Sequence, residues 1–120
     1  MINRLSCTVL ALLALLALAG CASDPAPTEQ MRLTEQAVAQ ARAVGANEQV
    51  AELKMAEDKL QQAQAAMADE AFKEARMLAE QAELDARVAE ARVLTQKSQD
   101  QLAELNKRID RLRKQLGDLQ

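Results

Sequence analysis

The chain has 120 residues, a formal net charge of −3, two cysteines, one aromatic residue and no histidine. A chain of this length builds one small domain at most. Without histidine, it lacks the residues for zinc sites of the usual type and for Ser-His or Cys-His nucleophiles. Its acidic balance and its lack of stacking aromatic residues argue against nucleic-acid binding.

An uncharged run over residues 5–19 follows the basic residue Arg4. It has three interpretations: a membrane helix, a buried core helix or a processing segment. A membrane-spanning helix needs about 20 apolar residues, and this run ends on small residues and a cysteine instead of a basic flank. A short basic start, an apolar stretch and a small-residue end are typical of a secretory signal peptide. We therefore predict that residues 1–20 are a signal peptide.

The end of this segment, Leu18-Ala19-Gly20-Cys21, resembles the bacterial lipobox. The resemblance implies that the signal peptidase recognises Leu18, Ala19 and Gly20. It also implies that Cys21 becomes the first mature residue and carries a diacylglyceryl group and an N-linked acyl chain such as palmitate. Several acyl chains together anchor a protein stably in a membrane. No Asp follows Cys21, and Asp there often retains lipoproteins in the inner membrane of enteric bacteria. The resemblance therefore favours the outer membrane, facing the periplasm, with no cofactor beyond the covalent lipid.

Residues 21–28 form the predicted tether, in which two prolines resist helix and sheet. Thr28 is the predicted N-cap of a first helix over residues 29–44. Gly45 is expected to take the left-handed conformation that ends this helix, and Asn47 to cap the next one. The apolar residues expected on one face of the first helix are Met31, Val38, Ala41 and Val44.

A second helix is predicted over residues 48–67, where apolar residues recur at the heptad spacing of 3 and 4. A turn is predicted at Ala68-Asp69, with Asp69 as the N-cap of the next helix and Glu70 in its first turn. One continuous helix from residue 48 to the C-terminus is the alternative. The second helix's repeat consists of Leu53, Ala56, Leu60, Ala63 and Met67.

The third helix is predicted to run from Glu70 to near Gly117, about 70 Å. Its first half carries an apolar stripe, which Leu78, Leu84 and Val88 are expected to broaden. The expected fold is all-α: a short antiparallel helical hairpin or bundle over residues 29–96 that continues into a coiled-coil-like helix over residues 97–120. The stripe consists of Phe72, Ala75, Ala79, Ala82, Ala86, Ala89 and Val93.

The second half of this helix carries a regular apolar repeat that nothing else in the chain is left to cover. We call it the C-terminal seam: Leu102, Leu105, Ile109, Leu112, Leu116 and Leu119. In a parallel in-register dimer, Arg108 of one helix would face Arg113 of the other, a like-charge pair. The seam therefore fits an antiparallel or heteromeric helical partner at least as well as a parallel homodimer.

Charge is unevenly distributed between the two predicted regions. Residues 24–96 carry 14 acidic and 8 basic side chains, whereas residues 97–120 carry 4 and 6. The basic cluster at residues 107–114 has two interpretations, contact with an acidic partner or the anionic cell wall, and a solvated helical face. Binding to peptidoglycan without a covalent bond is therefore an alternative to a helical protein partner.

Three alanine-rich stretches resemble the domain of unknown function 4398 (DUF4398), which occurs in Gram-negative envelope lipoproteins. They are residues 40–46, 56–63 and 74–87. Family members often have Gly-Asp-Tyr near the second turn, where this chain has Ala68-Asp69-Glu70. The resemblance implies an envelope role. The absence of a glycine-rich phosphate loop and the thin predicted bundle favour a protein that is not an enzyme.

Overall fold

The computed structural model describes residues 24–118, and these residues form three helices and no strand. Helix α1 spans Thr28–Ala43, α2 spans Ala51–Ala68 and α3 spans Phe72–Gly117. The predicted all-α fold with a long C-terminal helix is confirmed. Residues 1–23, which include the predicted signal peptide and the lipobox-like sequence, and residues 119–120, which include Leu119, lie outside the described residues.

The first half of α3 forms a three-helix bundle with α1 and α2. Helix α1 runs parallel to α3, because the start of α1 contacts Ala79 through Thr34 and its end contacts Lys97 through Val44. Helix α2 runs antiparallel to both, since its pairs with α3 run in the opposite order along the chain. These pairs are Lys59 with Asp85 and Glu52 with Arg92.

Alanines on α3 form the centre of the bundle core. Five of them are completely buried, as the 3-and-4 spacing predicted: Ala75, Ala79, Ala82, Ala86 and Ala89. Ala86 and Ala89 pack with Val38 and Ala41 of α1 and with Leu53 and Ala56 of α2, and Ala79 packs with Met31 of α1 and Ala63 of α2. Because alanine side chains are short, the helix axes can approach to the lower end of the roughly 8–10 Å range of packed helices.

Two residues predicted to widen the packed side of α3 lie on its opposite side. Leu84 is 63% exposed and Val88 is 53% exposed, so the prediction was wrong for both. Leu84 comes nine residues after Ala75, which places it about 180° around the helix from the alanine stripe. Leu78, in contrast, is partly buried against the core, as predicted. Helix α3 thus has two apolar faces, of which α1 and α2 cover one.

Hydrogen bonds to the last carbonyls of α1 determine the geometry of the first turn, which connects α1 and α2. The N–H of Ala46 donates to the carbonyl of Ala41, and the N–H of Gly45 donates to that of Arg42. With Gly45 at a φ of 104°, these bonds form a Schellman motif, so the prediction for Gly45 is confirmed. Asn47 does not cap α2; its side chain accepts a hydrogen bond from the N–H of Gln49, and α2 begins only at Ala51.

The second turn repeats this motif without a glycine. The N–H of Ala71 donates to the carbonyl of Ala66, and the N–H of Glu70 donates to that of Met67. Glu70 has a φ of 58°, the left-handed conformation that side chains disfavour. The predicted turn is confirmed and the single continuous helix is excluded. Asp69 ends α2 instead of starting α3, because the Schellman bonds extend the preceding helix.

The predicted start of α1 was also one residue late. Thr28 is already the first residue of the helix, and the residue before it is Pro27. The carbonyl of Pro27 accepts the N–H of Met31, which begins the helical hydrogen-bond pattern. Thr28 therefore does not act as the N-cap, and its side chain makes no capping bond.

Candidate functional site

The C-terminal seam lies on a part of α3 that has no contact with the other helices. Beyond Val93, every described residue of α3 is exposed. The seam side chains are between 40% and 65% exposed, which is high for large apolar residues that recur in a regular repeat. Its described members are Leu102, Leu105, Ile109, Leu112 and Leu116. Their repeat is the strongest candidate for a functional surface in the described chain.

Lys97 marks the point where the bundle ends. Its Nζ lies 2.7 Å from the carbonyl oxygen of Val44, so it binds the carbonyl end of α1. A cation placed there also interacts favourably with the negative end of the helix dipole. From this contact, α3 continues for about 30 Å without a neighbour.

The described part of the tether, residues 24–27, lies at the opposite end of the bundle from the seam. Residues 24–27 are not helical, and Arg76 near the start of α3 donates a hydrogen bond of 3.3 Å to the carbonyl of Pro25. The start of α1 and the start of α3 therefore lie side by side. A group attached just before residue 24 enters the molecule at this end, whereas the seam occupies the far end of α3.

The ion pairs that flank the seam each form between two residues of α3. Arg108 and Arg111 both approach the carboxylate of Glu104, at 3.2 and 3.3 Å. Arg113 lies 3.8 Å from Asp110. All these side chains are largely exposed, so each pair contributes little to stability. They do neutralise part of the basic cluster at residues 107–114.

Polar side chains at the solvent-facing edges of the bundle form pairs that join its helices. Lys59 on α2 binds Asp85 on α3 at 2.6 Å, and both side chains are mostly buried. Glu83 on α3 accepts hydrogen bonds from Arg87 and from Gln30 of α1. These donors, Arg87 first, lower the pKa of Glu83 because they stabilise the charged carboxylate. This network holds α1 and α2 on one side of α3.

Thr34 is a buried residue that the sequence analysis did not select. It is completely buried between α1 and α3, where its hydroxyl lies 2.9 Å from the carbonyl oxygen of Ala79. The sequence did contain a signal, since Met31, Thr34, Val38 and Ala41 follow the spacing 3, 4, 3. Thr34 was overlooked because it is polar.

Within residues 24–118, no group of three or more acidic, His or Cys side chains is placed to hold a metal ion. A concave surface at the second turn is an open cleft, lined by residues that include Asp24, Phe72 and Met77. None of the three helices combines the length and the apolar character needed to cross a bilayer.

Comparison with known proteins places this helical architecture in a family. The family profile of a domain of unknown function, DUF4398, matches residues 29–105. The chain belongs to the DUF4398 family. The matched segment covers the whole DUF4398 bundle and ends at Leu105, within the C-terminal seam.

A solved structure gives further support to this DUF4398 assignment. The crystal structure of a DUF4398 family protein from Pseudomonas aeruginosa PAO1 is similar to this chain, with 68% sequence identity and a TM-score of 0.78. The similarity covers 80% of this chain and 100% of the other. No curated protein matches the chain. The family carries no assigned function, so function has to be argued from the surface of this molecule.

Proposed function

We propose that this DUF4398 protein is a lipoprotein of the bacterial cell envelope, anchored in the outer membrane. In this proposal its helical domain faces the periplasm and acts as a structural or adaptor element through helix–helix contacts. The observation that carries the proposal is the C-terminal seam, a regular row of exposed leucines and one isoleucine on a helix without a neighbour. Apolar rows of this regularity are typical of surfaces that bind another helix.

The anchor in this proposal is the lipid on Cys21. Support comes from the lipobox-like sequence at residues 18–21 and from the non-helical segment that precedes α1. A Cys21→Ser variant should lose lipid labelling and move from the membrane fraction to the soluble fraction. Cys7→Ser is the matched control, because Cys7 lies in the segment that is removed. Lipid labelling that persists in Cys21→Ser would contradict the anchor.

Photo-crosslinking in cells tests the adaptor role. A photoreactive amino acid at position 105 or 112 lies on the seam, whereas one at position 107 or 114 lies on the opposite side of the same exposed helix. We expect protein adducts from the two seam positions and few from the two control positions. The proposal fails if all four positions give the same adducts, or if the seam positions give none.

A second candidate function is non-covalent binding to peptidoglycan through the basic cluster. The exposed Lys107 and Lys114 favour it, because the ion pairs of this segment involve the arginines instead. Deletion of residues 97–120 discriminates between the two functions. Loss of the protein partner in chemical crosslinking of whole cells, with unchanged retention on isolated cell wall, supports the adaptor, whereas loss of cell-wall retention supports peptidoglycan binding.

A further inference from the structure

The C-terminal seam is one half of a longer exposed face on α3. Upstream of Leu102, the same spacing continues through residues on the side of α3 that faces away from α1 and α2. We call the whole row the outer face of α3: Leu84, Val88, Ala91, Thr95, Ser98, Leu102, Leu105, Ile109, Leu112 and Leu116. All ten residues are exposed. The row alternates steps of 4 and 3 over 33 residues, or about 50 Å.

We propose that this outer face binds the outer face of a second copy, with the two α3 helices antiparallel and the twofold axis near Asp100. The inference rests on the proposed function, because it names the partner of the same seam. In this register, the residue numbers of facing core positions add up to 200. Leu102 then faces Ser98 of the second copy, Leu105 faces its Thr95 and Ile109 faces its Ala91.

Side-chain size favours this register. The large residues of the C-terminal half meet the small residues of the other copy, and larger pairs occur only at the two ends, where Leu112 meets Val88 and Leu116 meets Leu84. Packing large residues against small ones lets two helices interdigitate at native density. In a parallel in-register dimer, each residue meets its own kind, so Thr95 faces Thr95 and Ser98 faces Ser98. Hydroxyl groups would then face each other in two successive core layers, whereas the antiparallel register places each of them opposite a leucine.

Charge at the flanking positions also favours the antiparallel pair. In a parallel in-register dimer, three flanking pairs have like charge. They are Glu80 with Asp85, Arg87 with Arg92, and Arg108 with Arg113. In the antiparallel register, the nearest flanking pairs are Asp85 with Arg113, Arg87 with Gln115, Arg92 with Asn106 and Leu94 with Arg108. This arrangement removes all like-charge pairs and places Arg113 of each copy beside Asp85 of the other, whose carboxylate also binds Lys59 of its own chain.

The proposed register makes a longer contact than the alternative antiparallel register, which pairs only the C-terminal seams of the two copies. The C-terminal seam by itself, paired about a point between residues 110 and 111, covers less than three heptads, and short isolated helices are marginal in water. The proposed register nearly doubles this contact and covers Leu84 and Val88, which are otherwise exposed beside the bundle. Helices α1 and α2 do not obstruct it, because they pack on the alanine face about 180° away.

Antiparallel pairing constrains the orientation of the lipid-anchored dimer on the membrane. The tether enters at the start of α3, so the two tethers of the dimer lie at opposite ends of the paired helices. Two lipid anchors in one membrane then require the pair to lie along the membrane surface. The seven residues from Cys21 to Pro27, which precede α1, reach about 23 Å when extended, which is enough to span the thickness of one helical layer.

Disulfide crosslinking of the full chain in cells tests the register. Two differently tagged copies are co-expressed, one with Leu84→Cys and the other with Leu116→Cys, and the cells are oxidised. We expect a disulfide dimer that contains both tags. Dimers with a single tag should stay at the level of the parent protein, because position 116 lies about 48 Å from its own copy in this register. The parent, which retains Cys7 and Cys21, measures background from the native cysteines.

Each outcome has a separate meaning. Single-tag dimers of Leu116→Cys indicate a parallel pair and overturn the inference. Dimers between Leu105→Cys and Leu116→Cys chains, without any between positions 84 and 116, indicate the short register and also overturn it. If no Cys pair crosslinks while the photoreactive seam positions capture a different protein, the inference fails and the proposed function stands. If those positions also capture nothing, both fail.

Discussion

The hydroxyl oxygen of Thr34 lies 2.9 Å from the carbonyl oxygen of Ala79, in a completely buried contact between α1 and α3. The same hydroxyl is 2.9 Å from the carbonyl of Gln30, so one hydrogen serves two acceptors. The surrounding contact surface on α3 is almost entirely alanine, which offers nearly equivalent packing at successive turns. This polar contact therefore distinguishes one register of α1 on α3 from its neighbours.

Replacement of Thr34 by Val should lower the free energy of unfolding by about 1 kcal/mol. The side-chain volume is retained and the hydrogen bond to Ala79 is lost, while both carbonyls keep their acceptor roles within their own helices. The measurement is a urea titration followed by far-UV circular dichroism. Thr28→Val is the matched control, because Thr28 is exposed and its side chain makes no capping bond, and it should change stability by less than about 0.5 kcal/mol. Equal stability of Thr34→Val and the parent would contradict the role of the buried hydroxyl.

Glu70→Gly should stabilise the bundle by about 1 kcal/mol, because glycine accepts the positive φ of this turn without steric cost. For a domain of this size, that corresponds to a rise of about 4–8 °C in the midpoint of thermal unfolding. The corresponding position in the first turn provides the control. Gly45→Ala should destabilise by a similar amount, although the added Cβ would come no closer than 3.5 Å to Lys97. A lower midpoint for Glu70→Gly would show that its side chain stabilises the turn.

Ala82→Leu should destabilise the bundle by about 1–3 kcal/mol or prevent α1 and α2 from packing, because the site has no space for a larger side chain. Ala103→Leu introduces the same change on the same helix at an exposed position. Its effect should stay within about 0.5 kcal/mol. Comparable losses in the two variants would mean that close approach at the alanine stripe is not what stabilises the bundle.

Acidification should weaken the bundle in part through Glu83. Its pKa is lowered in the folded state by hydrogen bonds from Arg87 and Gln30. The carboxylate therefore contributes stability that is complete above its unfolded pKa of about 4.3 and is lost as the pH falls through the lower folded value. Glu83→Gln should flatten the dependence of unfolding free energy on pH below about 5. Arg87→Gln should flatten it too, because it removes the first of the two donors, and an unchanged slope in both variants would exclude this contribution.

The alanine stripe shows what heptad spacing can predict. Small apolar residues at steps of 3 and 4 identify the packed face of α3 from the sequence, and all five alanines are buried. Leu84 and Val88 were assigned to the same face because they are apolar. The spacing alone does not predict which of two opposite apolar faces of α3 the rest of the chain covers. In this protein, α1 and α2 cover the face that carries the smaller side chains.

The helix ends show a different limit. Asn47 and Asp69 are residue types that favour N-caps, so the sequence suggested that each starts a helix. In the structure, both turns are governed by the preceding helix, whose last carbonyls accept N–H groups from beyond its end. The function of Cys21 and the identity of the seam's partner depend on molecules other than this chain, and they stay predictions.

Helix α3 has a continuous backbone, but its two halves differ in local stability. Amide hydrogens on the covered face of residues 75–93 exchange with solvent when the bundle opens, because α1 and α2 bury that face. In a single copy, amides beyond Lys97 are protected by the helix alone, and they exchange through fraying from the C-terminal end. Pairing with a second copy would join these two segments into one cooperative unit, so amide exchange in both segments should slow as the protein concentration rises.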